Sequence, residues 1–251
     1  MAIDYDKLTN WKFDEIEQTY TFKDSILYAL GVGVSMDPLD MDQLRFTYEE
    51  DLLAQIHKTL PAEGTVIGTT KITEIIDKGE GKGALMYSTR EIHDKSSGDH
   101  LATLTSTTFC RGDGGFGGPK IEAPKPHTLP ERDADSVVEL ATLAQAALIY
   151  RLSGDFNPLH ADPRVATAAG FKAPILHGLS TLGVAGHAIL KQACGYDPAK
   201  IKSFNLRFTS PVYPGETIVT EMWHDGNVTS FRCKVKERDL VVLNNGYAEI
   251  G

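Results

Sequence analysis

The chain has 251 residues, 41% of them hydrophobic and 24% charged, which suits one large soluble domain or two of middle size. Its net charge of −9 argues against nucleic acid or an anionic membrane as the main partner. The 3 cysteines, Cys110, Cys194 and Cys233, are odd in number and far apart, so neither a disulfide framework nor a paired-cysteine metal site is expected.

In chain order, the first segment of note is 26–40, ILYALGVGVSMDPLD. It has a partner at 148–160, LIYRLSGDFNPLH: Tyr28 aligns with Tyr150, Leu30 with Leu152, and Leu39 with Leu159. Residues 61–66, PAEGTV, likewise pair with 214–218, PGETI, and each is followed by alternating segments around a glycine turn, Gly79–Gly83 and Asp225–Asn227. This pattern is that of an ancient duplication. The copies are unequal, because 37 positions separate Tyr28 from Thr65 whereas 67 separate Tyr150 from Thr217. The first copy is therefore short by a helix and a long strand near Leu53–His57. Either a stretch is missing there or the copy has degenerated, and the missing stretch is expected, since losing a central helix uncovers one face of a sheet. Residues 111–134, rich in glycine and then proline, read as a linker and divide the chain into 1–125 and 126–251.

The second copy reads as a helix over about 141–152 stopped at Gly154, a loop over 155–161, and a short helix capped by Asp162-Pro163 and ended at Gly170. A long helix follows over 178–194, stopped at Gly195, whose small residues Gly183, Ala185, Gly186 and Ala188 suit close approach of a sheet. Strands are expected at 203–208, 217–224, 229–237 and 240–250. One long helix plus an antiparallel sheet is an α+β layer arrangement.

The densest chemistry lies at Asp155-Phe156-Asn157-Pro158-Leu159-His160. Hydrating an activated alkene needs one group to polarise water and another to handle the proton at the α-carbon. Asp155 and His160 can supply these, with Asn157 orienting water or substrate; which of the two is the base toward water is open. A plainer reading gives Asp155 and Asn157 to turn capping and His160 to the surface. Farther on, His177-Gly178 opens the long helix, where unsatisfied N–H groups carry partial positive charge and can receive a thioester oxygen as it becomes enolate-like. The GxGxxG pattern at Gly112, Gly114 and Gly117 precedes Pro119 and Pro124, so no helix follows to present a pyrophosphate site. No histidine or cysteine pair has metal spacing, and no metal or cofactor is expected.

The segment RLSGDFNPLHADPRVATAAGFKAPILHGLSTLGVAGHAIL resembles the signature of the hydratase 2 and MaoC-like dehydratase family. The likeness extends to 205–223 and, in the first half, to YALGVG at 28–33 and GDGGFGG at 112–118. The resemblance implies a double hotdog fold, two antiparallel sheets each wrapped on a helix, with the first helix shortened or absent. It implies (R)-specific hydration of trans-2-enoyl-CoA in fatty-acid metabolism, with Asp155, His160 and Asn157 catalytic and Gly178 giving the oxyanion N–H. Tyr150, Phe156, Pro158, Leu159, Asp162 and His177 fall on positions around the substrate, and Lys78 and Phe208 on positions near the CoA, bound between the halves. A His-Gly-Glu segment usual in the family's first half has no counterpart here. The first half is expected to give acyl-chain space and the second the chemistry. The rivals are a hotdog acyl-CoA thioesterase and a non-catalytic acyl-CoA-binding subunit. Expected partners are the acyl-CoA thioester and, as an open option, a second copy in a homodimer, without nucleic acid or membrane. Because residues 1–12 resemble no leader and 248–251 no peroxisomal address, the cytoplasm is expected, or the peroxisome for a domain cut from a larger enzyme.

Overall fold

The structure is a computed structural model that describes residues 3–37, 39–48, 54–56, 58–119 and 121–251, with the backbone alone for 54–56 and 58–60. In order, the elements are α1 (Tyr5–Thr9), β1 (Ile16–Tyr20), α2 (Phe22–Gly31), α3 (Met41–Leu44), β2 (Ala54–Ile56), β3 (Lys58–Leu60), β4 (Gly64–Asp77), β5 (Ala84–Asp94) and β6 (His100–Cys110). After the linker come β7 (Ser136–Ala141), α4 (Ala146–Tyr150), α5 (Pro163–Ala168), α6 (Gly178–Cys194), β8 (Ile201–Phe208), β9 (Thr217–Asp225), β10 (Val228–Val235) and β11 (Leu240–Ile250).

Two compact units result. One holds Met1–Thr19 and Gly64–Lys125; the other holds Tyr20–Glu63 and Pro126–Gly251. The division at 125/126 coincides with the linker, but Tyr20–Glu63, placed in the first half by sequence, packs with the second. The reason is apolar: Ala29, Val32, Val34 and Phe46 join the second unit's core, because α2 lies against its repeat counterpart α4, with the Tyr28 and Tyr150 rings 5.8 Å apart.

The first unit is an antiparallel sheet in the order β1-β4-β5-β6. Its core of Ile72, Ile75 and Ala84 is covered by Ile3, Tyr5 and Leu8 in and before α1, which sequence reading missed. Among its described residues α1 is the only helix, so this unit has no long central helix there. Leu53 and His57, the edges of the shortened stretch, lie outside the described residues. The GxGxxG loop opens no helix; the N–H groups of Gly115 and Gly117 donate to the Asp77 carboxylate at 2.7 Å each, so that carboxylate stays ionised well below its usual range.

In the second unit the sheet runs β7-β9-β10-β11-β8 and carries α6 on one face. Strand alternation points Ile218, Thr220 and Met222 of β9 and Phe231, Cys233 and Val235 of β10 inward. Against them α6 places Ala185, Ala188 and Ile189, all fully buried. Burying one such isoleucine or methionine contributes about 1.5–3 kcal/mol. The helix stops at Gly195, where the chain turns left-handed (φ +58°). Two expectations are corrected here. The helix assigned to 141–152 is a strand to Ala141, the five-residue α4, and a 3-10 turn over Arg151–Ser153. Gly183 faces α2 rather than the sheet, since a Cβ there would stand 2.5 Å from Val32 Cγ1.

Candidate active site

The loop after α4 is built by its own short side chains. Gly154 takes φ +115°, which ends the 3-10 turn. Asp155 Oδ1 accepts from the Asn157 N–H at 3.2 Å, and Asn157 Oδ1 accepts from the Leu159 N–H at 3.0 Å. Pro158, Leu159 and His160 then form a second 3-10 turn. The capping roles of the plainer reading are therefore filled, but each leaves a second polar atom of Asp155 and Asn157 without a partner among the described residues. Asp162 is different: its carboxylate caps α5 through the Arg164 N–H and also takes the Arg164 guanidinium at 2.7 Å. Those contacts lower its pKa to about 2, and they occupy the carboxylate in shaping the loop.

His160 does not lie on the surface. It is 9% exposed, and its Nδ1 lies 2.8 Å from the Ile175 carbonyl. A carbonyl only accepts, so Nδ1 carries the proton and the Nε2 lone pair is left bare. His177, 1% exposed, stacks on it with centroids 3.8 Å apart and planes 26° apart. The Nε2–H of His177 donates to the Asp155 carbonyl at 3.1 Å, and its Nδ1 is buried without a partner. Burial, before any other cause, pushes this imidazole's pKa down. Tyr150 lies on His177 at 5.0 Å, its phenol raised and kept neutral by burial.

One polar atom each from Asp155, His160 and His177 falls within 4.8 Å of the others. Three such groups can in principle ring a metal ion, but imidazole lone pairs lie in the ring plane. In two nearly parallel stacked rings they do not converge, and the Nε2 of His177 is already protonated toward a carbonyl. Polar atoms this close can instead share one water through hydrogen bonds.

Gly178 is the first residue of α6, and the helical ladder begins with Thr181 N–H donating to the His177 carbonyl at 3.1 Å. The Gly178 N–H has no acceptor among the described residues, as the first turn of a helix dictates. The Phe208 ring, half exposed at the end of β8, comes within 3.3 Å of where a Gly178 Cβ would stand, so a side chain there would press on it. Phe156 is 57% exposed with the Arg151 guanidinium 4.9 Å from its centroid. Lys78 lies exposed on the turn after β4 in the other unit. Sequence reading missed Ile175, whose carbonyl sets the His160 tautomer, and Arg151, whose buried Nε has no partner. It also missed Tyr28 as a neighbour of the site, although the repeat pairing of Tyr28 with Tyr150 was its signal.

Residues 125–245 match the family described as MaoC like domain, and 52–112 match the MFE-2 hydratase 2 N-terminal domain. The chain is 35% identical over 295 aligned positions to "Enoyl-CoA hydratase 2, peroxisomal" of Arabidopsis thaliana, covering 98% of this chain and 94% of that protein. It is 44% identical over 201 positions to "3-hydroxyacyl-thioester dehydratase Y" of Mycobacterium tuberculosis, covering 78% and 69%. An alignment of 295 positions against 251 residues leaves at least 44 without a counterpart here. Among solved structures, a MaoC-like dehydratase from Phytophthora capsici superposes with TM-score 0.88 at 35% identity, covering 98% of both chains. A Mycobacterium tuberculosis protein described as a double hotdog superposes at 0.53 and 14% identity, covering 96% and 97%, a likeness of fold alone.

Proposed function

Because the chain belongs to the MaoC-like dehydratase family, as a double hotdog protein of its hydratase 2 branch, we propose that it adds water to trans-2-enoyl-CoA to give (3R)-3-hydroxyacyl-CoA. The observation that carries this reading is that Asp155, His160 and His177 each bring one polar atom within 4.8 Å of the others, while the Ile175 carbonyl holds Nδ1 of His160 and leaves its Nε2 without a partner among the described residues. In the reaction, Asp155 and His160 hold one water between them and Asn157 orients it through its free amide. The water oxygen bonds to C3 as the C2–C3 π electrons move toward the thioester carbonyl. The proton lost by the water is taken up by the pair, and a proton is returned to C2, so the net change is one H2O added. The developing enolate oxygen accepts from the Gly178 N–H, a kind of contact whose removal typically costs about 3–4 kcal/mol of transition-state stabilisation. Thioester activation of the alkene makes a metal or cofactor unnecessary.

Phe156, Pro158, Leu159 and Tyr150 surround the acyl end, and Asp162 shapes the loop that presents it. Phe208, close to the start of α6, is placed beside the thioester. The substrate places the enzyme in fatty-acid β-oxidation. The buried thiols Cys194 and Cys233 fit a reducing compartment, with the cytoplasm as the default and the peroxisome, named for the Arabidopsis relative, as the other setting. Among the described residues, no helix is long and apolar enough to cross a membrane. A homodimer is the assembly we expect.

The test is incubation with crotonyl-CoA in the presence of EDTA, following enoyl absorbance and free thiol together. Loss of absorbance without thiol release supports hydration. Thiol release points to a thioesterase, and binding with neither change points to a non-catalytic subunit.

A further inference from the structure

We propose that His177 is the positioning residue for both members of the pair, working as a neutral imidazole whose ring backs His160 and whose Nε2–H holds the Asp155 main chain. The inference rests on the hydratase reading and goes beyond treating His177 as a substrate contact. Three observations converge on it. The His160 and His177 rings stack at 3.8 Å. The His177 Nε2–H donates to the Asp155 carbonyl at 3.1 Å. The Tyr150 ring also packs on His177, with centroids 5.0 Å apart, and Tyr28 stands 5.8 Å from Tyr150. One side chain thus fixes the plane of the imidazole and the backbone of the carboxylate, which sets the gap that the water fills.

The neutral state follows from the surroundings. The Asp155 carbonyl requires a proton on Nε2, so Nδ1 is the bare nitrogen, and it is buried with no partner. A proton added at Nδ1 would be an unpaired buried donor on a cation stacked against His160 and near the Arg151 guanidinium; burial outweighs the hydrogen bond to the Asp155 main chain and the Asp155 carboxylate, which favour the charged form. The Tyr150 phenol, which also faces it, is neutral. A neutral ring is what His160 requires behind it, since a cation stacked there would oppose any proton that His160 takes up during the reaction. With His177 at 1% exposure, a direct contact with an acyl-CoA is a poor account of it.

The experiment compares the wild type with His177→Phe, which keeps a ring but no N–H, and His177→Gln, which returns an N–H donor near the Nε2 position. For His177→Phe, kcat should fall by about tenfold or more, as displacement of reacting groups by an ångström does, with KM within about twofold. His177→Gln should recover part of that loss. In the wild type, nitrogen-detected NMR should show His177 as the Nε2–H neutral tautomer and His160 as the Nδ1–H tautomer at pH 7. Unchanged kcat in both variants, or a loss confined to KM, overturns the inference, and so does a charged or Nδ1–H His177 in the wild type. If either variant fails to fold, the NMR reading decides alone. A wild-type chain that does not hydrate sinks the functional reading, whereas a hydrating wild type with indifferent His177 variants sinks only this one.

Discussion

The Ile175 carbonyl gives His160 its working form by fixing Nδ1 as the protonated nitrogen and freeing Nε2. Replacing His160 or Asp155 by alanine should each lower turnover by about two orders of magnitude or more, the scale of a lost general acid or base. Circular dichroism should show the fold retained, because neither side chain belongs to the apolar core. Near-wild-type hydration by either variant removes them from the chemistry. The turn that carries these two residues and the helix start at Gly178 were legible in the sequence, because both are local features, written within six residues and at one His-Gly step. Ile175, Arg151 and the stacking of His177 were not legible, because a backbone acceptor and a ring plane are fixed only by tertiary packing. A second imidazole makes a prediction of its own. His187, on α6, is 4% exposed, and burial, then Lys191, lowers its pKa from 6.5 to about 4 against the opposing pull of the Val32 main chain and Asp40. Since the folded value lies below the unfolded one, the neutral form's contribution is complete above about pH 6.5 and is lost as pH falls toward 4. That difference corresponds to about 3 kcal/mol. Tm against pH should decline over this window in the wild type and decline less in His187→Leu; parallel curves contradict the assignment.

Along α6 the glycines separate by helical phase. At 100° per residue Gly183 stands 200° from Ala185, so the two cannot face the same layer. The sequence showed a run of small residues but not which face met which neighbour, and the sheet was the natural guess. Ala185 and Ala188 are buried against it, whereas Gly183 admits Val32 and the Tyr28 hydroxyl of α2, and Gly186 faces open space. Gly183→Ala should therefore destabilise by about 1–3 kcal/mol through overpacking. Gly186→Ala should stabilise by up to about 1 kcal/mol through helix propensity. Denaturant midpoints for the two variants check this, and shifts of the same sign would contradict the facing. The long helix and four of the second unit's strands were readable because each has a clean period and a stop signal. Strand β7 was not: the sequence reading assigns nothing to 136–140 and opens a helix at about 141, because six residues are too short for a clean period and run into an alanine-rich stretch.

At the scale of the whole chain, the two copies differ at the position of the site histidine. Asp40 stands where the second copy has His160, and its carboxylate is spent on capping α3 and on the Gln43 amide at 2.6 Å. A carboxylate tied into a cap cannot replace an imidazole. Titration with a non-hydratable acyl-CoA analogue should accordingly saturate at one equivalent per chain, and two would restore a site to the first copy. The packing of Tyr20–Glu63 with 126–251 could not be read from the linker, because a linker marks where the chain crosses between units and not where earlier segments return. The central claim is that Asp155 and His160 deliver one water to the enoyl thioester to give the R alcohol. Its most direct test is chiral analysis of the product formed from crotonyl-CoA. The account predicts (3R)-3-hydroxybutyryl-CoA, absent when Asp155 or His160 is replaced by alanine; the S enantiomer, or free CoA in its place, would contradict it.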